Sequence, residues 1–147
     1  MAASLTHALE QAPDAAVIAF SKERLALIQI DNKGSLKRCV AAFNGVGDFG
    51  LNAQEQLRFM HAIGNLYKTA SVERKTSASE AERSAATELL TAIYQKKIDP
   101  NGVLGDEEKR KALSEAEQCD MFKRLMNEIH SRPVKEGAAL IRIMLTG

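Results

Sequence analysis

The sequence predicts an α+β fold. An N-terminal three-stranded antiparallel meander packs against three or four helices, in a single domain spanning 1–147. Three observations predict it. Apolar and β-branched residues cluster over 16–43 around the turn-forming stretch DNKG at 31–34. Beyond Gly50 the apolar residues recur every three or four positions, a helical period. The length of 147 residues is that of one domain of common size, and 45% hydrophobic residues are enough to build a core.

The elements follow in chain order. Ser4 can cap a short helix over 5–12, which Pro13 ends. Residues 15–30 fail the test for an amphipathic helix. At 100° per residue Ser21, Lys22, Glu23 and Arg24 scatter around the whole circumference, and no apolar stripe survives. Two strands, 16–20 and 24–31, fit better. Asp31, Asn32 and Gly34 then supply hairpin chemistry, and 36–43 forms the third strand. Asn52 can cap a helix over 53–68, whose stripe is Phe59, Met60, Ile63, Leu66 and Tyr67. The stretch SASE at 77–80 reads as a capping box for a helix over 78–97, with Ala81, Ala85, Leu89, Ala92 and Ile93 on one side. Pro100, Gly102 and Gly105 stop that helix. Asp106 can cap a third helix, over 107–130, and Ser114 with Glu117 offers a second start within it. Its stripe runs through Ala112, Ala116, Cys119, Phe122, Met126 and Ile129. Residues 137–147 read as a strand that can join the meander, since Ile141, Ile143 and Leu145 alternate with Leu140, Arg142 and Met144; a short helix is the alternative.

Charge narrows the function classes. Residues 1–70 carry seven Lys/Arg against six Asp/Glu, and residues 71–147 carry 13 of each, for a net +1. Neither half has the broad basic footprint of a nucleic-acid binder. No run approaches the roughly 18 apolar residues of a membrane span. The first basic residue is Lys22, and no uninterrupted apolar core precedes it, so the start does not read as a signal peptide. A cytoplasmic protein is expected. The alternative is export by a dedicated bacterial secretion system, with which the lysine-free, Ser/Thr/Ala-rich start is compatible. Cys39 and Cys119 lie far apart without C-x-x-C spacing and read as reduced, partly buried thiols.

The stretch NGVGDFGLN at 44–52 holds Gly45, Gly47 and Gly50 as G-x-G-x-x-G. A dinucleotide fingerprint needs a strand before it, a helix after it and an acidic residue ending a second strand about 20 residues on. The third condition fails, because residues 68–76 read KTASVERKT. Asp48 would also sit beside the diphosphate. The stretch looks like a kinase glycine loop too, but no V-A-I-K, H-R-D or D-F-G follows. The expectation is a glycine-dependent connection with at least one positive φ. Gly45, Gly47 and Gly50 are the candidate binding residues if a nucleotide is held at all.

Other constellations are sparse. A nucleophilic pair could be Cys39 with His61 or His130, oriented by Asp48 or Asp120. Lys37 and Arg38 could lower the Cys39 pKa, whereas Cys119 falls in a helical stripe and reads as core. The three histidines are isolated, so no zinc site is expected. Asp99, Asn101 and Asp106 suggest a calcium loop, but Leu104 and Arg110 occupy its glycine and glutamate positions. Arg74-Lys75, in the polar stretch 69–82, could meet a phosphate and reads as a solvated connection. The expected function is a non-enzymatic protein–protein interaction module, as an adaptor, a secretion-associated effector domain or an inhibitor, with no cofactor, no metal and another protein as partner. The alternative is a small enzyme or nucleotide-binding protein using Gly45–Gly50 with Cys39 or His61.

Overall fold

A computed structural model describes residues 2–30, 36–46, 49–74 and 76–146. The fold is all-helical, and no strand occurs among the described residues. The order is α1 (Ala2–Gln11), α2 (Asp14–Gln29), α3 (Lys37–Phe43), α4 (Ala53–Val72), α5 (Glu80–Ile93), a π-helical turn (Tyr94–Ile98), a 3-10 turn (Val103–Gly105), α6 (Glu107–Lys111), α7 (Glu115–His130) and α8 (Val134–Thr146). The α+β expectation is therefore overturned. Of the expected strands, residues 16–20 and 24–29 belong to α2, 37–43 to α3 and 137–146 to α8. Gly34 and the rest of DNKG lie outside the described residues.

The correction has a physical cause. α2 is the central helix and packs against α3, α4, α7 and α8. Val17, Phe20, Ser21, Leu25, Leu27 and Ile28 are buried on one side of it, and Ala15, Ala19, Lys22 and Gln29 are exposed on the other. The stripe is masked because the inner side includes the polar Ser21 and the outer side includes the apolar Ala15 and Ala19, so the two sides differ little in hydropathy. α8 touches α1, α2, α5 and α7, and Ala138, Leu140, Ile141 and Arg142 are all buried. At its crossing with α7 and α2, a Cβ on Gly137 would lie 3.0 Å from the Ile129 carbonyl oxygen and 3.1 Å from Ile18 Cδ1, so only glycine fits without displacement.

The helix starts follow local chemistry. Asn52 with Glu55, and Ser114 with Glu117, form the capping boxes that open α4 and α7, while Asp106 accepts from the backbone N–H groups of Glu108 and Lys109 to open α6. Residues 107–130 are accordingly two helices. α5 is opened by Ser79 with Glu82, two residues after the expected box. α4 continues to Val72, so 69–72 is helical and not a connection. α1 begins at Ala2, which puts Ser4 inside it.

Three buried ties lock the bundle. Arg142 donates from Nε to the Leu9 carbonyl (2.7 Å), from Nη2 to the Ala12 carbonyl (2.7 Å) and from Nη1 to Asp14 Oδ1 (2.6 Å). It thereby satisfies carbonyls left free at the end of α1 and fastens the α1–α2 corner to α8. Arg38 makes a two-pronged pair with Glu55, from Nη1 at 2.6 Å and from Nη2 at 2.7 Å, and also donates to the carbonyls of Leu27 and Gly50. Cys39 and Cys119 form a disulfide with a Cα–Cα separation of 5.2 Å, joining α3 to α7. The expectation of two reduced thiols is thus corrected. Neither cysteine is free.

Candidate functional site

The expected glycine site holds a helix end at Gly45 and a second left-handed position at Gly50. α3 ends in a Schellman arrangement: the Gly45 N–H bonds the Ala42 carbonyl at 3.2 Å, and the Val46 N–H bonds the Ala41 carbonyl at 2.8 Å. Gly45 accordingly has φ +73°. Gly50 has φ +63° and presents its carbonyl to Arg38 at 3.2 Å. The positive φ expected of at least one glycine is therefore found at two. Gly47 and Asp48 lie outside the described residues, as does Lys75.

Local charge at this end of α4 is already matched. Asn52 Oδ1 accepts from the Glu55 N–H at 2.9 Å, and Glu55 Oε1 accepts from the Asn52 N–H at 3.1 Å. The Arg38 guanidinium, and then the Asn52 N–H, hold the Glu55 carboxyl down to about 2 from an ordinary 4.5. Glu55 is thus a permanent anion at the helix N-terminus, where the dipole favours one.

The candidate nucleophile and its bases are dispersed. Cys39 is spent in the disulfide, buried between α3 and α7. His61 lies on α4, exposed, on the wall of a groove of about 370 Å³ between α2 and α4. That groove also holds Phe20, Asn65 and the Glu23–Arg58 ion pair. His130 instead meets Ser21: Ser21 Oγ and His130 Nε2 are 2.8 Å apart. Sequence reasoning missed this pair, because 109 residues separate its members. Burial, and then the nearby Lys22, push the His130 pKa below its ordinary 6.5, so the ring is neutral at pH 7. Ser21 is buried, out of reach of a substrate. No hydrogen bond from a described residue orients the other imidazole nitrogen. The pair therefore ties α2 to the end of α7. Asp120 pairs with Arg124 on the exposed face of α7.

A second recess, about 100 Å³, lies where α1, α5 and α8 meet. Glu10, Asp14, Arg83, Lys135 and Arg142 ring an alanine-lined floor, with charges of both signs. Among the described residues no group of three or more His, Cys, Asp or Glu could hold a metal ion. No helix among them is long and apolar enough to cross a membrane.

The most unusual surface is the outer face of α4. Its inner face is conventional: Leu66 and Ala70 are buried, and the Phe59 ring stacks on Phe20 with centroids 6.0 Å apart. Met60 and Tyr67, expected in the core, point outward. Leu57 is 58% exposed, Met60 66%, Tyr67 37% and Val72 73%. Of the exposed residues between Ala53 and Val72, only Arg58 and Lys68 carry a formal charge, and Arg58 is paired with Glu23. Depletion of charge, with Met and aromatic groups exposed, is the composition of an interface centre and not of an ordinary solvated helix. Compared with family models, curated proteins and solved structures, the chain has no significant match.

Proposed function

We propose that this chain is a non-enzymatic protein–protein interaction module that works through the outer face of α4. The observation that carries the reading is the exposure of Leu57, Met60 and Tyr67 along one side of a 20-residue helix whose opposite side is fixed in the core, with Val72 also exposed at its last turn. Four large apolar groups held in water on one rigid element cost solvation free energy that a partner would recover, about 25 cal/mol for each Å² covered. The dispersal of Cys39, His61 and His130 favours this reading over the enzyme alternative. The Cys39–Cys119 disulfide supports work in an oxidising compartment, and so favours export over the cytoplasm.

Affinity capture with the wild-type chain and with Leu57→Asp and Tyr67→Asp variants tests it. Both positions are exposed, so the variants keep their melting temperature. Proteins captured by the wild type should be lost by both. Capture that is indifferent to both substitutions would overturn the assignment of α4.

A further inference from the structure

Resting on that reading of α4, we propose that the occupant of this face is a second copy of the chain, docked antiparallel, α4 on α4, about a two-fold axis midway between residues 60 and 64. Ala53, Leu57, Met60, Gly64, Tyr67 and Ser71 are separated by four, three, four, three and four positions. That is the seam spacing of two packed helices, and all six residues are exposed. The seam has two interleaved sets: Leu57, Gly64 and Ser71, and Ala53, Met60 and Tyr67. Antiparallel packing sets one against the other. Met60 then meets Gly64 of the second copy, Leu57 meets Tyr67, and Ala53 meets Ser71.

The sizes match in that register. Gly64 carries no side chain, and a Cβ added to it would meet nothing within 4 Å, so the seam dips between Met60 and Tyr67. The Met60 side chain, unbranched and adaptable, fills such a dip well. The two-fold axis makes each copy both donor and acceptor of the knob. A parallel pairing in register would set Met60 against Met60 and leave Gly64 facing Gly64, crowded at one level and empty at the next. Charge agrees. Lys68, the one exposed α4 cation without an acidic partner among the described residues, falls level with Gln56 of the second copy, so no like charges oppose. The face is nearly neutral and is matched by a neutral helix, not by a strongly acidic or basic one. The seam is about 27 Å long at 1.5 Å per residue. A single helix pair of that length covers less than the roughly 800 Å² per partner of a standard interface, so the dimer is a weak, transient one.

Sedimentation equilibrium on the whole chain from about 10 µM to 1 mM, the range of a weak dimer, tests the proposal. Gly64→Met alone should weaken the dimer about tenfold or more, because methionine then meets methionine. Met60→Gly alone should weaken it similarly, because the knob is gone. The double exchange Met60→Gly/Gly64→Met restores knob to hole and should recover the dimer to within about threefold of wild type. Circular dichroism checks that each variant keeps its helix content. A wild-type chain that is monomeric at about 1 mM, or a double exchange no better than the single variants, would overturn the second copy as occupant. The capture experiment with Leu57→Asp is read separately. If the chain is monomeric yet retains α4-dependent capture of a different protein, the second copy is wrong and the interaction module stands.

Discussion

Reducing the Cys39–Cys119 bridge should lower the stability of the bundle more than any conservative change on its surface. The bridge spans a sequence separation of 80 residues, enclosing α4, α5 and α6. Chain-entropy reasoning for a loop of that size gives about 4.5 kcal/mol at 25 °C, and residual structure in the unfolded chain makes this an upper bound. The expected loss is therefore about 2–4.5 kcal/mol. α3 has seven residues, too few to persist as a helix alone, so it depends on its ties to α7 and α4. Arg38 and Glu55 still hold it after reduction, while the tie to α7 reverts to packing of two buried thiols. The assay is a pair of urea melts with and without a phosphine reductant, which leaves side-chain volumes nearly unchanged. A Cys39→Ala/Cys119→Ala variant serves as a second arm. Amide hydrogen exchange should rise first in α3. Melts that coincide within about 1 kcal/mol would refute the loop-entropy argument. Free thiols titrating in the unreduced, unfolded chain would refute the pairing itself.

Four further outcomes are expected. Phe122, buried on α7, should cost about 3–5 kcal/mol as Phe122→Ala in denaturant melts. Gly50→Ala should cost about 1–2 kcal/mol, because alanine must then adopt φ +63°. Stability should fall on acidification in two stages, read by melts from pH 8 downwards. His130 has its folded pKa below 6.5, so its contribution is complete above 6.5 and is lost as pH falls below it. Glu55 has its folded pKa near 2, so its contribution is complete above 4.5 and is lost between 4.5 and about 2. Arg38→Met and Glu55→Leu should each lower the melting temperature by leaving a buried charge alone, and the double variant should recover much of that loss.

Much of the second half was legible because capping chemistry is local. Asn52, Asp106 and Ser114 each act within three residues, and each opens a helix where expected, although the one at Asp106 ends at Lys111. The α5 start slipped by two residues because SASEAE contains two overlapping boxes, Ser77–Glu80 and Ser79–Glu82, and the second is used. The first third reads as strand because Ser21 lies on the buried side of α2 and Ala15 and Ala19 on its exposed side, and the C-terminal segment does so because AALIRIMLT is nearly all apolar and fits alternation as well as a helical period. Arg142 offered a signal within that apolar segment: a lone guanidinium in AALIRIMLT implies partners, and here they are backbone carbonyls 130 and 133 residues away, plus Asp14. The disulfide and the Ser21–His130 contact depend on tertiary approach across 80 and 109 residues and leave no spacing pattern. On α4 the period was read correctly but assigned to one face. Three-and-four spacing occurs for a core stripe and for an interface stripe alike, and Phe59, Ile63 and Leu66 belong to the first while Met60 and Tyr67 belong to the second.

The placement of the ties bears on why α4 can work as a docking element. Arg38 and the Asn52 cap engage Glu55 at its first turn, Arg58 reaches Glu23 one turn on, and Phe59 stacks on Phe20. The disulfide holds α3, and through Arg38 α3 holds the start of α4. All of these act from the inner side or the rim, and none uses Leu57, Met60, Gly64 or Tyr67. A face presented on an already immobilised backbone loses little backbone entropy on binding, which leaves chiefly the side-chain cost, about 0.5–1.5 kcal/mol per ordered residue. Loosening α3 by reduction should therefore weaken docking through α4 even though no residue of the outer face has changed. That coupling separates a scaffolded interface from a row of apolar residues that happen to be exposed, since the latter would bind equally well with the bridge open or closed.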